Sequence, residues 1–469
     1  MLNCTYKTTE NTNFKRTVLM NSVFTPESGQ PVYIQLYNHF RSLILTGAMP
    51  SESRLPSIRK CAETYGVSKT TVEAAYVQLE AEGCIYSVPQ SGFYVSEMPD
   101  FTPHGRAAAN PETSDSRGEP EFDFTSSAAD SESFDFNLWQ RYVKSALRTG
   151  TRLLDYGDPQ GEEDLRKALC AYVSRSRGII CGENQIVVGA GVQNLLQLLC
   201  AIEKERHTVL IHGIPYIKGE TIFRDYGKTV MSGTECETSD FTSGIIYTSP
   251  SHINYEGDVM SLSKRIDLLN YARSRDSLII EDDYDSEFSY TGRPVPALRS
   301  LDGGERVVYI GTFSKLLLPS IRISFMVLTN DLAAKYHKIR ALYNQTASKT
   351  EQIALCRYIS DGHLYSRIKK TKKLYADKTR RFYNVIAGEQ TAFRIRISQS
   401  GFLVSVTGKA DDIDALLALL ESENMTADCK PCGSENQKSI LFSVSAISSE
   451  KIVVSAHKVL MCIKKIKKE

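Results

Sequence analysis

No apolar run in this 469-residue chain approaches the ~20 residues a bilayer span requires; "LLALL" (416–420) is typical and far short. Net charge is nearly absent too. With 56 Lys+Arg against 55 Asp+Glu, no global field singles out a nucleic acid or a membrane as partner. The first residues show no cationic segment leading into an apolar core, so no secretory signal is expected. A disulfide framework is missing as well: eleven cysteines lie scattered, which fits reduced thiols and a cytoplasmic location. "CKPC" (429–432) has no second pair at zinc spacing, so it reads as two loop cysteines and no metal is expected. No internal repeat is visible.

What remains is an ordinary globular composition, 42% hydrophobic and 24% charged, long enough for two or three domains of roughly 150 residues. Residues 1–28 are polar and aperiodic, a disordered leader. Residues 29–96 are compact in pattern and largely helical. The segment 97–121, "EMPDFTPHGRAAANPETSDSRGEPE", has too little apolar surface to fold alone and reads as a linker. From 122 to 469, β-branched runs alternate with helical patterns. "QIVV" (185–188), "TVLI" (208–211), "GIIYTSP" (244–250), "SLIIEDD" (277–283) and "RVVYIG" (306–311) are strand candidates, and "EEDLRKALCAYVSRSR" (162–177) is helical. That alternation predicts an α/β domain with a mostly parallel sheet covered on both faces. "IKKIKKE" (463–469) is most simply a solvated helix end.

In "SIRKCAETYG", Ile58, Cys61, Ala62 and Tyr65 follow the spacing of one buried helix face. Ser57 is placed to cap its start and Gly66 its end. A second helix opens at Ser68 and buries Val72, Ala75, Tyr76 and Leu79. Two short helices across "GVS" make a helix-turn-helix, with Lys69, Thr70 and Thr71 where side chains reach base edges and phosphates. Arg54, Arg59 and Lys60 flank them, and "GCIYSVPQSGFYVS" (83–96) alternates like a two-stranded wing turning near Gln90–Gly92. Acidic residues slightly outnumber basic ones across 29–98, so composition by itself leaves a plain helical hairpin open.

The stretch "IEDDYDSEFSYTGRPVPALRSLDGGERVVYIGTFSKLLLPSIRI" (280–323) carries a different chemistry. A buried lysine amine with lowered pKa attacks carbonyls. Pyridoxal phosphate needs such a lysine, a carboxylate at its ring nitrogen, and an anion clamp. Lys315 follows a strand in "GTFSK", where Thr312 and Ser314 can donate to phosphate, and Arg322 supplies charge. Asp282 and Tyr284, two apart at a strand's C-terminal end, point to one side, toward ring nitrogen and ring hydroxyl respectively. Glu281, Asp282 and Asp283 could equally form a metal cluster, although no Walker or EF-hand frame surrounds them.

Both halves resemble known families. "PVYIQLYNHFRSLILTG" with "LPSIRKCAETYGVSKTTVEAAYVQLEAEG" resembles the GntR-type winged helix-turn-helix. The resemblance implies a DNA-facing set of Arg54, Ser57, Arg59, Ser68, Lys69, Thr70, Thr71 and Gly92. Lysine stands at 69 where arginine is usual, which gives up bidentate base readout. "YGDPQGEEDLRKAL" (156–169), "VVGAGVQNLLQLL" (187–199), "YTSPSH" (247–252), "IIEDDYDSEF" (279–288), "YIGTFSKLLLPSIRI" (309–323) and "GHLYSRIKKTKKLYADK" (362–378) resemble fold-type I aminotransferases. Joined, the halves look like the MocR subfamily of GntR regulators, which includes the PdxR and GabR types.

By that resemblance, Lys315 would bind the aldehyde of pyridoxal phosphate covalently, Asp282 the pyridine nitrogen and Tyr284 the ring oxygen. Val192 and Gln193, at a helix N-terminus, would cradle phosphate with Thr312, Ser314 and Arg322. The family's E-x-P-x-Y-like segment appears as "HGIPY" (212–216), keeping Tyr216 but losing the acid. "PSHINYEG" (250–257) departs after His252 from the family's apolar-proline form. The strand that carries the substrate-carboxylate arginine in aminotransferases reads "ILFSVSAIS" (440–448) and has none. Arg394 and Arg396, nearby in sequence, do not match that motif. The resemblance implies a transcriptional regulator, not an enzyme, that binds operator DNA as a head-to-tail homodimer and senses the cofactor or an amino adduct of it. Its targets would be vitamin B6 or amino-acid genes. An active aminotransferase with an appended DNA-binding head is the alternative.

Overall fold

The structure is a computed structural model that describes residues 30–97, 120–125, 132–233, 241, 243–288, 295–388, 392–432 and 436–466. The leader expected at 1–28 and nearly all of the 97–121 linker lie outside the described residues. The chain divides into two compact units, Met1–Arg117 and Gly118–Glu469.

The first unit holds helices α1 (Val32–Leu45), α2 (Ile58–Tyr65) and α3 (Lys69–Ala81), then an antiparallel hairpin of β1 (Ile85–Val88) and β2 (Gly92–Val95). Helix α2 starts on Ser57, whose hydroxyl accepts the Lys60 N–H, and ends on left-handed Gly66. Helix α3 starts on Ser68, which accepts from the Thr71 N–H at 3.1 Å. Val72, Ala75, Tyr76 and Leu79 are buried against Leu36, Phe40 and Ile44 of α1 and Cys61 of α2. The Tyr76 phenol is satisfied by the Pro56 carbonyl at 2.9 Å. Gln90 and Gly92 both adopt positive φ, which turns the hairpin where its sequence placed the bend.

In the second unit seven strands form one sheet in the order β4-β10-β9-β8-β7-β5-β6. They are β4 (Ile186–Gly189), β5 (Thr208–His212), β6 (Thr229–Gly233), β7 (Ile245–Thr248), β8 (Leu278–Asp283), β9 (Val307–Thr312) and β10 (Ser324–Val327). A two-residue strand β3 (Phe122–Asp123) lies apart from this sheet. Only β10 runs antiparallel to its neighbours. Five of the seven match the sequence candidates. Missing from them were β6, a half-exposed edge strand, and β10, four residues that follow a left-handed Arg322. Alternate residues go to opposite cores: Ile186 and Val188 join Tyr309 and Phe325, whereas Val187 joins Ile280 and Ile310. A strand covered on both faces needs no polar side, which is why β8 is buried at every residue from Leu278 to Asp283.

The chain ends in an antiparallel sheet ordered β11-β12-β15-β14. Its strands are β11 (Arg394–Ile397), β12 (Leu403–Lys409), β14 (Asp428–Pro431) and β15 (Gln437–Ser443), and the short β13 (Met425–Thr426) pairs with β3. The helices His363–Ile386, Ala410–Ser422 and Ile452–Ile466 pack their apolar residues into its core. Cys429 sits within β14 and Cys432 directly follows it, so "CKPC" is edge-strand sequence and not the loop expected of it. Among the described residues no helix is long and apolar enough to cross a membrane.

Leu79→Ala, emptying a fully buried site in the first unit, should destabilise that unit by about 2–5 kcal/mol. Hydrogen exchange should show faster opening of α1–α3 amides while β8 and β9 keep their protection.

Candidate functional site

Five segments leave the large sheet at the C-terminal ends of β4, β5, β7, β8 and β9 and converge on two adjoining cavities, of about 560 and 260 Å³. Tyr284 and Ile214 line both. Lys315, Ser314, Thr312, Arg322 and His252 line the larger; Asp282, Val192, Tyr216 and Tyr247 line the smaller. The structure therefore brings together eight of the nine residues expected to hold the cofactor. The ninth, Gln193, is exposed and lines neither cavity. It can contribute only as part of the first turn of the helix Val192–Ile202.

The Lys315 side chain is 11% exposed, and desolvation lowers its amine below the ordinary lysine value, with Asp285 pulling in the opposite direction. Its Nζ lies 3.4 Å from Asp285 Oδ2 and 3.4 Å from the centroid of the Phe402 ring. Asp285 holds that position in a left-handed backbone, φ 61°, an uncommon conformation for a residue with a Cβ. Asp282 is 6% exposed, and burial pushes its carboxyl up to about 7 although the Tyr247 phenol donates to Oδ2. The other oxygen, Oδ1, is buried without a partner in the structure. Such a group is costly unless something donates to it. Tyr284 stacks on His252, ring centroids 4.4 Å apart and planes within 4°, and burial pushes that imidazole down to about 4.

The neighbouring acids go elsewhere. Asp283 meets Arg177 at 2.7 Å and accepts from Ser251, Ser286 and Tyr309. Glu281 accepts the N–H groups of Leu298 and Arg299. The three carboxylates thus serve separate partners, and among the described residues no group of three or more His, Cys, Asp or Glu side chains is placed to hold a metal ion.

At the far end of the site, the helix Val192–Ile202 begins on Gly191 with no side-chain cap, which leaves its first N–H groups available. Gly191 takes φ 100°, where a residue with a Cβ is strained, and a Cβ there would stand 2.5 Å from Arg322 Nη2 and push the guanidinium aside. Arg322 itself takes φ 54° and donates to the Ala190 carbonyl at 3.3 Å. Ser314 and Ser324 hydroxyls meet at Thr312 Oγ1, at 3.1 and 3.0 Å.

Pyridoxal phosphate fits this set. The orphaned Asp282 Oδ1 wants a donor such as a protonated ring nitrogen. Arg322, Ser314 and the uncapped helix start form an anion cradle, and Lys315 faces the same space. Four residues around it were not singled out from sequence: Tyr247, His252, Asp285 and Phe402. The first three fall inside the motifs "YTSPSH" and "EDDYDSEF"; nothing marked Phe402. The strand lacking the carboxylate arginine presents Leu441 and Ser443 to the larger cavity. Arg394 and Arg396 are engaged by Glu256, at 3.5 and 2.7 Å, and Arg396 also by Asp258 at 3.0 Å.

In the first unit, Lys69 and Thr70 are exposed on the opening turn of α3, with Thr71 half-buried. The Arg54 guanidinium lies about 3.5 Å from the place a Cβ on Gly92 would occupy, so two expected DNA-facing residues adjoin at the wing. Other members are partly committed inside the fold. Ser57 and Ser68 spend their hydroxyls as helix caps, and Arg59 pairs with Glu63 at 3.2 Å. Among the described residues Arg54, Lys60 and Lys69 form no ion pair.

Residues 32–95 match the family of bacterial regulatory proteins, gntR family, and residues 124–458 match aminotransferase class I and II. The chain is 36% identical over 370 residues to the uncharacterized HTH-type transcriptional regulator YdeL of Bacillus subtilis (strain 168), covering 74% of this chain and 77% of that protein. It is 31% identical over 384 residues to the probable rhizopine catabolism regulatory protein MocR of Rhizobium meliloti, covering 77% and 78%. In fold it is similar to an archaeal alanine:glyoxylate aminotransferase, with a TM-score of 0.65 at 21% identity over 73% of this chain and 91% of that one.

Two outcomes follow from the geometry. Gly191→Ala should weaken binding of pyridoxal phosphate, and of inorganic phosphate as competitor, at least tenfold by calorimetry, because the new methyl evicts Arg322. Asp285→Asn removes the charge that opposes the lowering of the Lys315 amine by burial. The pH profile for capture of the cofactor's aldehyde, followed by visible absorbance, should then move to lower pH, with faster capture at neutrality.

Proposed function

We propose that this chain, which belongs to the MocR subfamily of GntR-type regulators built on an aminotransferase class I and II domain, is a cytoplasmic transcriptional regulator that reads pyridoxal phosphate. The observation that carries the reading is the unpartnered oxygen of buried Asp282, in a site that also holds Lys315, Tyr284 and Arg322. When bound, the cofactor supplies an electron-withdrawing ring and an aldehyde for one lysine. The chain's own residues do the rest. Lys315 would provide the amine, Asp282 would accept the ring N–H, Tyr284 would donate to the ring oxygen, and Tyr216 would help hold the ring. Thr312, Ser314, Arg322 and the turn at Val192–Gln193 would hold the phosphate.

Binding at such a site changes DNA affinity only through different affinity for two arrangements of the protein. The cofactor itself is favoured as signal because β15 presents only Leu441 and Ser443 to the cavity, its Lys438 is paired with Asp414, and Arg394 and Arg396 are paired as well. That missing anchor is worth about 1.5–3 kcal/mol for a charge-assisted bond. Operator DNA is met by Lys69, Thr70 and Thr71 with Arg54 and Gly92 at the wing, and the capped Ser57, Ser68 and the paired Arg59 set the geometry. A homodimer is supported by apolar side chains that one subunit leaves bare: Tyr156 is 97% exposed, Leu154 84% and Leu342 81%.

The intact lysine site also keeps a second reading in play, an aminotransferase carrying a DNA-binding head. Holo-protein incubated with amino acids distinguishes them: repeated turnover to keto acid at enzyme-like rates would reverse the assignment.

Two measurements test the regulator. Titration of pyridoxal phosphate alone should shift operator affinity, and Lys315→Ala should abolish both that shift and the visible absorbance; a shift that required an added amino acid would assign the signal to an adduct. Lys69→Ala should weaken binding about equally on different sequences and reduce the salt-dependence slope by about one, as loss of a phosphate contact does.

A further inference from the structure

Cys170 and Cys181 form the only thiol–thiol hydrogen bond among the described residues, with the sulfurs 3.8 Å apart. Neither belongs to the cofactor site. Cys170 lies on the helix Glu163–Arg177, and Cys181 on the connection that leaves that helix through left-handed Gly178. Both are free and half-buried, so a small solute reaches them. Their surroundings are unequal. The two sulfurs share one hydrogen bond, and that contact together with the positive charge of the Arg299 guanidinium holds the Cys181 thiol below the ordinary cysteine value although burial opposes it. For Cys170 the same hydrogen bond, together with burial and Glu183, works in the other direction. A more acidic, reachable sulfur in contact with a second thiol is the arrangement that peroxides oxidise selectively.

We infer that Cys170 and Cys181 are a redox modification site, with Cys181 the peroxide-reactive sulfur and Cys170 the resolving one. The Cys181 thiolate attacks one oxygen of hydrogen peroxide, the O–O bond breaks, and the leaving hydroxide takes a proton to become water. The Cys170 sulfur then displaces hydroxide from the resulting sulfenic acid, giving a disulfide and a second water. Two thiols lose two electrons and one peroxide is reduced. The bond would tie the helix to the connection that feeds β4, the strand ending at the Gly189–Gly191 turn.

The test is peroxide treatment of the full-length protein followed by intact-mass and peptide mapping. Wild type should lose two alkylatable thiols and about 2 Da, yield a peptide joining 170 to 181, and recover with dithiothreitol. Cys170→Ser should stop at a sulfenic acid on Cys181 that dimedone traps, and Cys181→Ser should leave Cys170 reduced under the same dose. A wild-type map in which both cysteines remain alkylatable, or in which either joins a different cysteine, overturns the proposal whether or not the serine variants fold.

Discussion

A buried carboxylate with one oxygen satisfied and one bare organises the larger unit. Asp282 sits, largely buried, at the end of a strand covered on both faces, and Tyr247 takes only one of its oxygens. An uncompensated group of this kind costs stability, so the fold carries it only if something arrives to donate. The rest of the site lines the same two adjoining cavities. Lys315 approaches from the next strand, Tyr284 from two residues on, and Arg322 from the turn into β10. Neighbouring charges are already neutralised: Asp283 by Arg177, Glu281 by backbone N–H groups.

The same economy governs the first unit. Among its described residues cations are few, and Arg41 and Arg59 are paired with Glu82 and Glu63. Of the described cations, Arg54, Lys60 and Lys69 are the ones without an ion pair. In the proposed regulator, a reader with so few free cations would draw affinity from a second half-site met by a second subunit.

Much of this was legible in the chain. Helix caps at Ser57 and Ser68, the turn at Gln90–Gly92 and the buried face of α3 follow from local rules that hold whatever surrounds them. The lysine, aspartate, tyrosine and arginine of the site lie within one stretch, at the ends of two consecutive strands, so their order survives in the sequence. Less visible were partners brought from elsewhere. Phe402, whose ring lies against the Lys315 amine, directly precedes β12 of the C-terminal sheet, some ninety positions on, and no local pattern marks it. Gln193 shows the converse: a motif position whose side chain the helix turns outward.

The sequence by itself determined which side chains exist at the ends of which strands, because a period of two and the preferences of helix caps act over a few residues. It determined equally that no arginine stands in the segment 440–448. Only the tertiary structure decided that Asp282 keeps a bare oxygen, that Asp285 rather than solvent faces Lys315, and that Arg394 and Arg396 belong to Glu256. Burial and ion pairing are properties of what surrounds a group, and those surroundings are assembled from segments far apart along the chain.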